Sequence, residues 1–146
     1  MLLRLTVTIE EVKQLPAGQV LDCLAAELVM GWTKAGDKFY GENCVLYNDK
    51  EANAFEVSPD GNYPLLSKGA FNPSRILKDA FVMETEMYHR GKFFAINRYQ
   101  DGKFVAVFDS YTYVNKGIYG EGSTVELAIT KASIIWVLWC NNNRGR

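Results

Sequence analysis

The sequence predicts a single α+β domain: an α/β/α sandwich in which helices cover both faces of one mainly antiparallel sheet. Three observations predict this class. Helical and strand patterns follow each other in the order helix, two strands, helix, two strands, helix. The last strand pair is apolar on both sides, which a sheet with one solvated face does not require. With 146 residues, of which 48% are apolar, the chain is long enough to bury a core.

The strand pair that decides this architecture lies within residues 92–113. Two runs rich in aromatic and β-branched residues flank Asp101-Gly102, a dipeptide that suits a two-residue hairpin turn. Such a turn pairs Tyr99 with Phe104. Both sides of the pair are then apolar near the middle, so helices are expected to cover each side.

Two helical patterns open the chain. Thr8 and Glu11 have the spacing of a capping box, which predicts a short helix that ends before Pro16. A second helix is predicted over 17–30, and Gly31 stands where a C′ glycine would end it. Its apolar stripe consists of Val20, Leu21, Leu24 and Leu28.

Between the second and third helices the sequence predicts two short strands, Cys44–Tyr47 and 54–58. Residues 33–41 are polar, and residues 58–69 are rich in glycine and proline, so we expect both to be loops. An additional edge strand is expected within residues 1–8.

The third helix has a well-defined predicted start at Asn72 and Pro73. Asparagine suits the N-cap, and proline suits the first helical position, where its missing N–H has no intrahelical partner. The apolar side chains that follow predict the buried face: Ile76, Leu77, Ala80, Met83 and Met87.

The last helix is predicted from a second capping-box pattern, Ser123 with Glu126, and it ends in a polar tail at 141–146. An aromatic, glycine-rich loop at 111–122 precedes it. One broad apolar face is expected to be buried: Val125, Ala128, Ile129, Ala132, Ile135, Trp136 and Trp139. A second apolar patch predicts an interface with another protein or a second copy of the chain: Leu127, Ile134 and Leu138.

Composition and charge argue against several classes of protein. Sixteen basic against seventeen acidic side chains give a net charge of −1, which argues against an extended nucleic-acid surface. The three cysteines form no C-x-x-C pair, so neither a zinc site nor a disulfide framework is predicted. The apolar start of the chain is too short for a signal peptide or a membrane span. We therefore expect a soluble cytoplasmic protein that does not act at a membrane.

Patterns that would indicate catalysis are missing from the sequence. His89 is the only histidine, which argues against nucleophilic triads and most metal sites. Neither a P-loop nor a Rossmann fingerprint occurs. Glu84 and Glu86 point to different faces of a helix, and Asp109 is interpreted as a solvated residue at a strand end. We expect no catalytic residue, no metal and no cofactor.

Three segments of the sequence resemble the phage ABA sandwich domain family. They are a helix ending in Met-Gly-Trp at 21–32, a helix start at 71–81, and an alanine- and isoleucine-rich closing helix at 126–135. The resemblance implies an α/β/α sandwich encoded by a bacteriophage or prophage, and hence a location in the cytoplasm of the infected bacterium. It carries no catalytic residues to this chain. The sequence departs from the family pattern at 2–6 and in the loop before the last helix.

The starts of the last two predicted helices are candidate anion sites, because exposed first-turn N–H groups attract negative charge. If both follow strands that leave the same edge of the sheet, they converge on one phosphate-bearing ligand, with tyrosines to stack on a base. The predicted ligand-binding residues are Ser67, Lys68, Asn72, Ser74, Arg75, Arg98, Tyr111, Tyr113, Tyr119, Ser123 and Thr124. The alternative is that these are ordinary helix caps and surface aromatic residues.

Two functions from different classes follow from these patterns. The first is a non-enzymatic phage accessory protein that binds and sequesters a small anionic, nucleotide-like immune signal and so counters host defence. The alternative is a protein–protein interaction module that acts on a host or phage protein, or on a second copy of itself, through the second apolar patch of the last helix.

Overall fold

The structure is a computed structural model that describes residues 7–31, 33–35, 38–40, 44–47, 53–57, 64–92, 94–109 and 112–143. The helices are α1 (Ile9–Gln14), α2 (Gln19–Leu24) with a π-helical continuation (Ala25–Val29), α3 (Leu77–His89), α4 (Thr112–Asn115) and α5 (Val125–Asn142). The strands are β1 (Thr33–Ala35), β2 (Lys38–Tyr40), β3 (Cys44–Tyr47), β4 (Asn53–Val57), β5 (Pro64–Ala70), β6 (Phe94–Arg98), β7 (Phe104–Phe108) and β8 (Gly120–Gly122). No helix in this described part is long and apolar enough to cross a membrane.

The strands confirm the predicted α+β class and its antiparallel pairing, but they form two sheets. Strands β1 to β5 pair in sequence order as a five-stranded meander, and β6, β7 and β8 form a three-stranded sheet. The expectation of one single sheet is therefore corrected. The sandwich arrangement, with helices on both faces, stays a prediction.

Two segments predicted as loops contain strands. Strands β1 and β2 lie within 33–41, and β5 lies within 58–69 and continues to Ala70. Pro64 is tolerated because it is the first residue of β5, where proline removes little of the ladder. The expected edge strand at the start of the chain lies outside the described residues, except for residues 7 and 8, which are not in a strand.

The first two helices follow their capping signals, but Val20, which was predicted in the apolar stripe of the second, is 63% exposed. Thr8 caps α1, with its side chain accepting from the Glu11 N–H and the Glu11 carboxylate accepting in return. The second helix changes to π-helical geometry over its last turn and ends at Gly31, whose φ of 71° suits a C′ glycine. Arg90 donates to the Val29 carbonyl at 2.5 Å, so a cation satisfies the end of this helix.

Helix α3 begins four residues later than predicted. The segment after Asn72 makes a single turn, because Arg75 N and Ile76 N both donate to the Asn72 carbonyl, and Ile76 is then extended. Ala80, Met83 and Met87 are buried as predicted, whereas Ile76 and Leu77 are exposed. Within this turn, Ser74 N donates a hydrogen bond to the carboxylate of Asp22 from α2.

The hairpin of β6 and β7 confirms both strands and corrects their register by one residue. Tyr99 N donates to the Lys103 carbonyl at 2.8 Å, which closes a three-residue loop instead of a two-residue turn. Gly102 has a φ of 86°, the αL position that ends such a loop. Phe104 therefore pairs with Arg98 and not with Tyr99.

Both faces of β7 are buried, as the sequence predicts. Ala106 and Phe108 belong to the main hydrophobic core, while Val105 and Val107, which point the other way, are each 1% exposed. On the neighbouring strand, the apolar pattern ends at Asn97, which is exposed.

Helix α5 is the element around which the core is built. It contacts β7, β8, α1, α2 with its π-helical continuation, and α3. Residues 128–136 are consequently all buried, whichever side of the helix they lie on. Burying a large apolar side chain stabilises a fold by about 1.5–3 kcal/mol, so this helix contributes much of the folding free energy.

Two glycines let β8 approach α5 closely. A Cβ at Gly120 would lie 2.2 Å from the Ala128 carbonyl oxygen, and one at Gly122 would lie 2.7 Å from the Leu127 side chain. This part of the predicted mobile loop at 111–122 is thus an ordered strand, and Thr112–Asn115 forms a short helix before it.

Candidate functional site

A pocket of about 320 Å³ lies where the end of α1, the start of β7, β8 and the first two turns of α5 meet. Its size falls at the lower end of the range for small-molecule sites, roughly 300–1,000 Å³. Its lining consists of Lys13, Gln14, Lys103, Tyr119, Glu121, Gly122, Ser123, Leu127 and Lys131. Three lysines against one glutamate give this lining an excess of positive charge.

Lys131 is the most unusual of these residues, because its side chain comes from the buried middle of α5. The residue is only 6% exposed. Its Nζ donates to the Lys13 carbonyl at 2.8 Å, and no described carboxylate lies within ion-pair distance of it. Burial lowers the pKa of Lys131, while the charge of Glu121 opposes this shift. An ammonium that is buried and not neutralised favours the arrival of an anion.

The other two lysines of the pocket have partners but remain near water. Lys103 forms an ion pair with Glu121 at 3.2 Å, and this hydrogen bond and charge raise the pKa of Lys103. Lys13 lies 3.5 Å from a carboxylate oxygen of Glu10 and 4.8 Å from the centre of the Tyr119 ring. The Lys103–Glu121 pair is exposed, so an incoming anion can share its cation at little cost, whereas Lys13 is half-buried with an exposed partner.

The start of α5 forms one side of the pocket. Thr124 is the N-cap, since its hydroxyl accepts from Leu127 N at 3.2 Å. The predicted cap was Ser123, one residue earlier; Ser123 instead lies exposed in the pocket lining. The predicted ligand-binding residues Tyr119 and Ser123 are thus in the pocket wall, next to the cap of the helix.

The other predicted anion site, before α3, is occupied by a carboxylate of the chain itself. Asp22 is 2% exposed and accepts from Ser74 N at 2.7 Å. It also accepts from Nε and Nη2 of Arg75, at 3.2 and 2.9 Å. The Ser74 hydroxyl is used as well, because it accepts from Gly18 N at 3.0 Å. The expectation that Ser74 and Arg75 bind a ligand is therefore corrected: Asp22 takes the place that the ligand would need.

Asn72 is held by the same segment. Its backbone N–H donates to Asp79 at 2.8 Å, and its side-chain oxygen accepts from Arg75 at 2.6 Å, so it is not the helix cap that the sequence predicts. Burial raises the pKa of Asp79, against the opposing effect of the Asn72 N–H. The polar groups of this turn therefore satisfy each other.

The aromatic and remaining basic residues of the predicted site are dispersed. Tyr113 packs edge-on against Trp136 and Trp139, at 4.9 and 5.3 Å between ring centres, so its ring faces are engaged inside the fold. Arg98 is exposed on β6, with its guanidinium 5.7 Å from the centre of the Phe104 ring. Ser67 and Lys68 lie in β5 with side chains outside the described part, and Tyr111 is not among the described residues.

The predicted interface on the last helix is wrong. Ile134 is 0% exposed and Leu138 is 9% exposed, because the neighbouring elements surround α5. Leu127 lies in the pocket lining instead of on a free surface. A helix that is apolar on two sides can be sandwiched within its own chain, and that is the case here.

Comparisons with protein-family models, with curated proteins and with solved structures find no match. The phage origin and the family resemblance therefore stay predictions. Among the described residues there is no group of three histidine, cysteine or acidic side chains that could hold a metal ion.

Sequence reasoning missed the residues that give the pocket its charge: Lys13, Lys103, Glu121 and Lys131. Lys131 does carry a signal, because it is the only charged residue in the run 127–140, which is otherwise apolar apart from Thr130 and Ser133. The hydroxyls of Thr130 and Ser133 donate to the carbonyls of Glu126 and Ile129, one turn earlier, so both polar side chains are satisfied within the helix. The longer side chain of Lys131 instead leaves the helix and donates to the Lys13 carbonyl on α1.

Proposed function

We propose that the protein binds a small anionic ligand in the pocket at the start of α5 and holds it without turnover. The observation that carries this proposal is Lys131, a charged side chain from the core that reaches the pocket without a carboxylate partner among the described residues. An anionic ligand would supply the missing counter-charge. A phosphate group suits the site, because its oxygens accept hydrogen bonds from several ammonium groups at once.

The size and lining of the pocket limit the ligand. A volume of about 320 Å³ suits a molecule no larger than a single nucleotide. Lys103 and Lys13 would hold the charged group at the rim, and the buried charge of Lys131 would attract it into the pocket. Tyr119 offers an aromatic edge to a ring, which agrees with a nucleotide-like ligand.

The biological role that we propose is sequestration of a nucleotide-like immune signal by a phage protein. This role rests on the resemblance of the sequence to the phage ABA sandwich family. The chemical proposal, an anion held by three lysines, is independent of that resemblance.

The proposal is tested by calorimetry with pyrophosphate, cyclic nucleotides and ADP-ribose, with uncharged adenosine as the control ligand. We expect at least one of the anions to bind and adenosine not to bind. Lys131→Met should weaken that binding by at least about tenfold, since it removes the buried charge. The matched control is Lys78→Met, at an exposed position of α3, which should leave the affinity unchanged. Absence of heat with every anion, or equal losses in the two variants, would contradict the proposal.

A protein–protein interaction module remains the second candidate, on a different surface. Leu77, Phe81 and Tyr88 are exposed and lie along one side of α3, at spacings of four and seven residues. Light scattering over a range of concentrations tests whether the chain associates with itself. A concentration-dependent mass that Phe81→Asp reduces would support this candidate, and a monomer in both proteins would count against self-association.

A further inference from the structure

Lys131 has a second chemical possibility, because a buried amine in a pocket is a nucleophile as well as a charge. We propose that Lys131 captures an anionic aldehyde or ketone as an imine within the pocket. The inference rests on the proposed function and deepens it by naming the class of ligand: a phosphate-bearing carbonyl compound, such as a sugar phosphate in its open-chain form.

The geometry leaves the nitrogen of Lys131 available to such a ligand. Its hydrogen bond to the Lys13 carbonyl, at 2.8 Å, directs an N–H towards α1. In the neutral amine the lone pair then points away from that carbonyl, and the residue lines the pocket. Because the residue is only 6% exposed, a reagent reaches Nζ through the pocket and not from bulk solvent.

The surroundings make the Lys131 ammonium easier to deprotonate than that of an exposed lysine, and the reaction needs the neutral amine. Burial is the main cause that lowers the pKa of Lys131. The charged groups facing the pocket are Lys13 from α1, Lys103 beside β7 and Glu121 from β8. Desolvation and neighbouring cations are the two usual means by which proteins activate a lysine for imine formation. Glu121 acts in the opposite direction, but it lies at the rim, paired with Lys103.

The reaction needs no reagent beyond the ligand. The ammonium gives a proton to solvent, and the amine nitrogen adds to the carbonyl carbon. The carbonyl oxygen then takes up two protons, one from the nitrogen and one from solvent, and leaves as water. The product is a protonated imine that carries the same positive charge as the original ammonium. Hydrolysis reverses the step, so the ligand is held covalently without turnover.

Lys13 and Lys103 would supply the anion selectivity of this capture. They are the two cations at the rim, and a phosphate held between them places the rest of the ligand towards Lys131. A carbonyl compound without an anionic group lacks this attraction. Positioning by the phosphate would raise the effective concentration of the carbonyl at Nζ.

The probe for the experiment is pyridoxal 5′-phosphate, with borohydride to reduce any imine and peptide mass spectrometry to locate it. Lys131 should be labelled at least about tenfold faster than the exposed Lys78, and faster than Lys103 at the rim of the same pocket. Pyridoxal, which lacks the phosphate, should label Lys131 at least about tenfold more slowly. Labelling of Lys131 at or below the rate of Lys78 would overturn the proposal.

Pyridoxine 5′-phosphate separates this inference from the proposed function, since it carries the phosphate but no carbonyl. If it binds in calorimetry while pyridoxal 5′-phosphate is not trapped at Lys131, the covalent step is refuted and anion binding stands. If neither compound binds, both proposals fail for this class of ligand. Lys131→Arg cannot form the imine, so it should lose trapping at residue 131.

Discussion

The two predicted anion sites of this protein differ in where their counter-charge comes from. Before α3, Asp22 fills the position opposite Ser74 and Arg75, and its carboxylate accepts three hydrogen bonds from them. At the start of α5, no described carboxylate pairs with Lys131, and the adjoining pocket is lined by three lysines and one glutamate. The first is a structural joint between α2 and the turn before α3, and the second is an open site.

The difference shows that a helix start in the sequence does not indicate by itself whether an anion site is free. The carboxylate that occupies the first site lies 52 residues earlier in the chain than Ser74. The lysine that opens the second lies in the middle of a helix. Both deciding residues are distant from the local pattern, and substitutions at each site test the contrast.

The largest effect on stability is expected from Gly120→Ala, because the added methyl group would prevent the close packing of β8 on α5 beside the pocket. The added Cβ would lie 2.2 Å from backbone atoms of Ala128 and Ala132, which cannot move aside without displacing the strand. We expect a loss of more than about 3 kcal/mol in the free energy of unfolding, measured by denaturant titration. Gly122→Ala meets mainly the Leu127 side chain and should cost about 1 kcal/mol. Equal costs for the two variants would show that the close approach is not as described.

The next effect tests the filled site. Asp22→Ala leaves the Arg75 guanidinium and the Ser74 N–H without their partner, and we expect a loss of about 3 kcal/mol. If the carboxylate stands in for an anion, sulfate should restore part of that loss, and sodium chloride of the same ionic strength should not. The comparison variant is Glu86→Ala, which removes an exposed pair with Arg90 and should cost below about 0.5 kcal/mol. If sulfate stabilises Asp22→Ala no more than it stabilises the wild type, the Asp22 carboxylate does not stand in for an anion.

The buried Lys131 of the open site should make the stability of the protein depend on pH. Because the pKa of Lys131 is lowered in the folded state, the folded protein loses this proton before the unfolded chain does. Between the lowered pKa and the ordinary value for lysine, the unfolded state binds more protons, so stability increases with pH. Raising the pH from 7 to 10 should therefore stabilise the wild type relative to Lys131→Met, as measured by the difference between their free energies of unfolding. A constant difference, or the same shift in Lys78→Met, would argue against a buried ammonium.

The smallest effect on stability is expected from Glu121→Gln at the rim of the open site. The ion pair with Lys103 is exposed, so its loss should change the free energy of unfolding by less than about 0.5 kcal/mol. Removal of the one acidic group among the described lining residues should nevertheless raise the affinity for an anion by at least about threefold, as measured by calorimetry. Unchanged or weaker binding would mean that the lysines do not hold the ligand.

The sequence was sufficient for the features that neighbouring residues determine. The capping box of Thr8 and Glu11, the end of the second helix at Gly31 and the strands of the hairpin all agree with the structure. The register of that hairpin was not determined locally, because Asp101-Gly102 suits both a two-residue turn and the end of a three-residue loop. Here the longer loop is stabilised by the Asp101 carboxylate, which accepts from Lys103 N at 2.9 Å.

The features that could not be predicted depend on contacts between distant parts of the chain. Periodicity places Ile134 on a second apolar side of the last helix, but it does not say whether the same chain or a partner covers that side. The structure shows that the chain covers it. For the candidate site, Tyr119 and Ser123 lie in the pocket wall beside a helix start, but an apolar helical pattern does not show where the side chain of Lys131 leads.

The π-helical turn at Ala25–Val29 determines the direction in which the first half of its helix faces. Such a turn contains about one residue more than an α-helical turn. If the same residues continued in regular α-helical form, the preceding part would be rotated by about 100° relative to the part that follows. Asp22 would then turn away from Ser74, and the joint would lose its carboxylate without any change in that residue. The π-helical geometry of this turn thus determines whether Asp22 faces Ser74 and closes the first site.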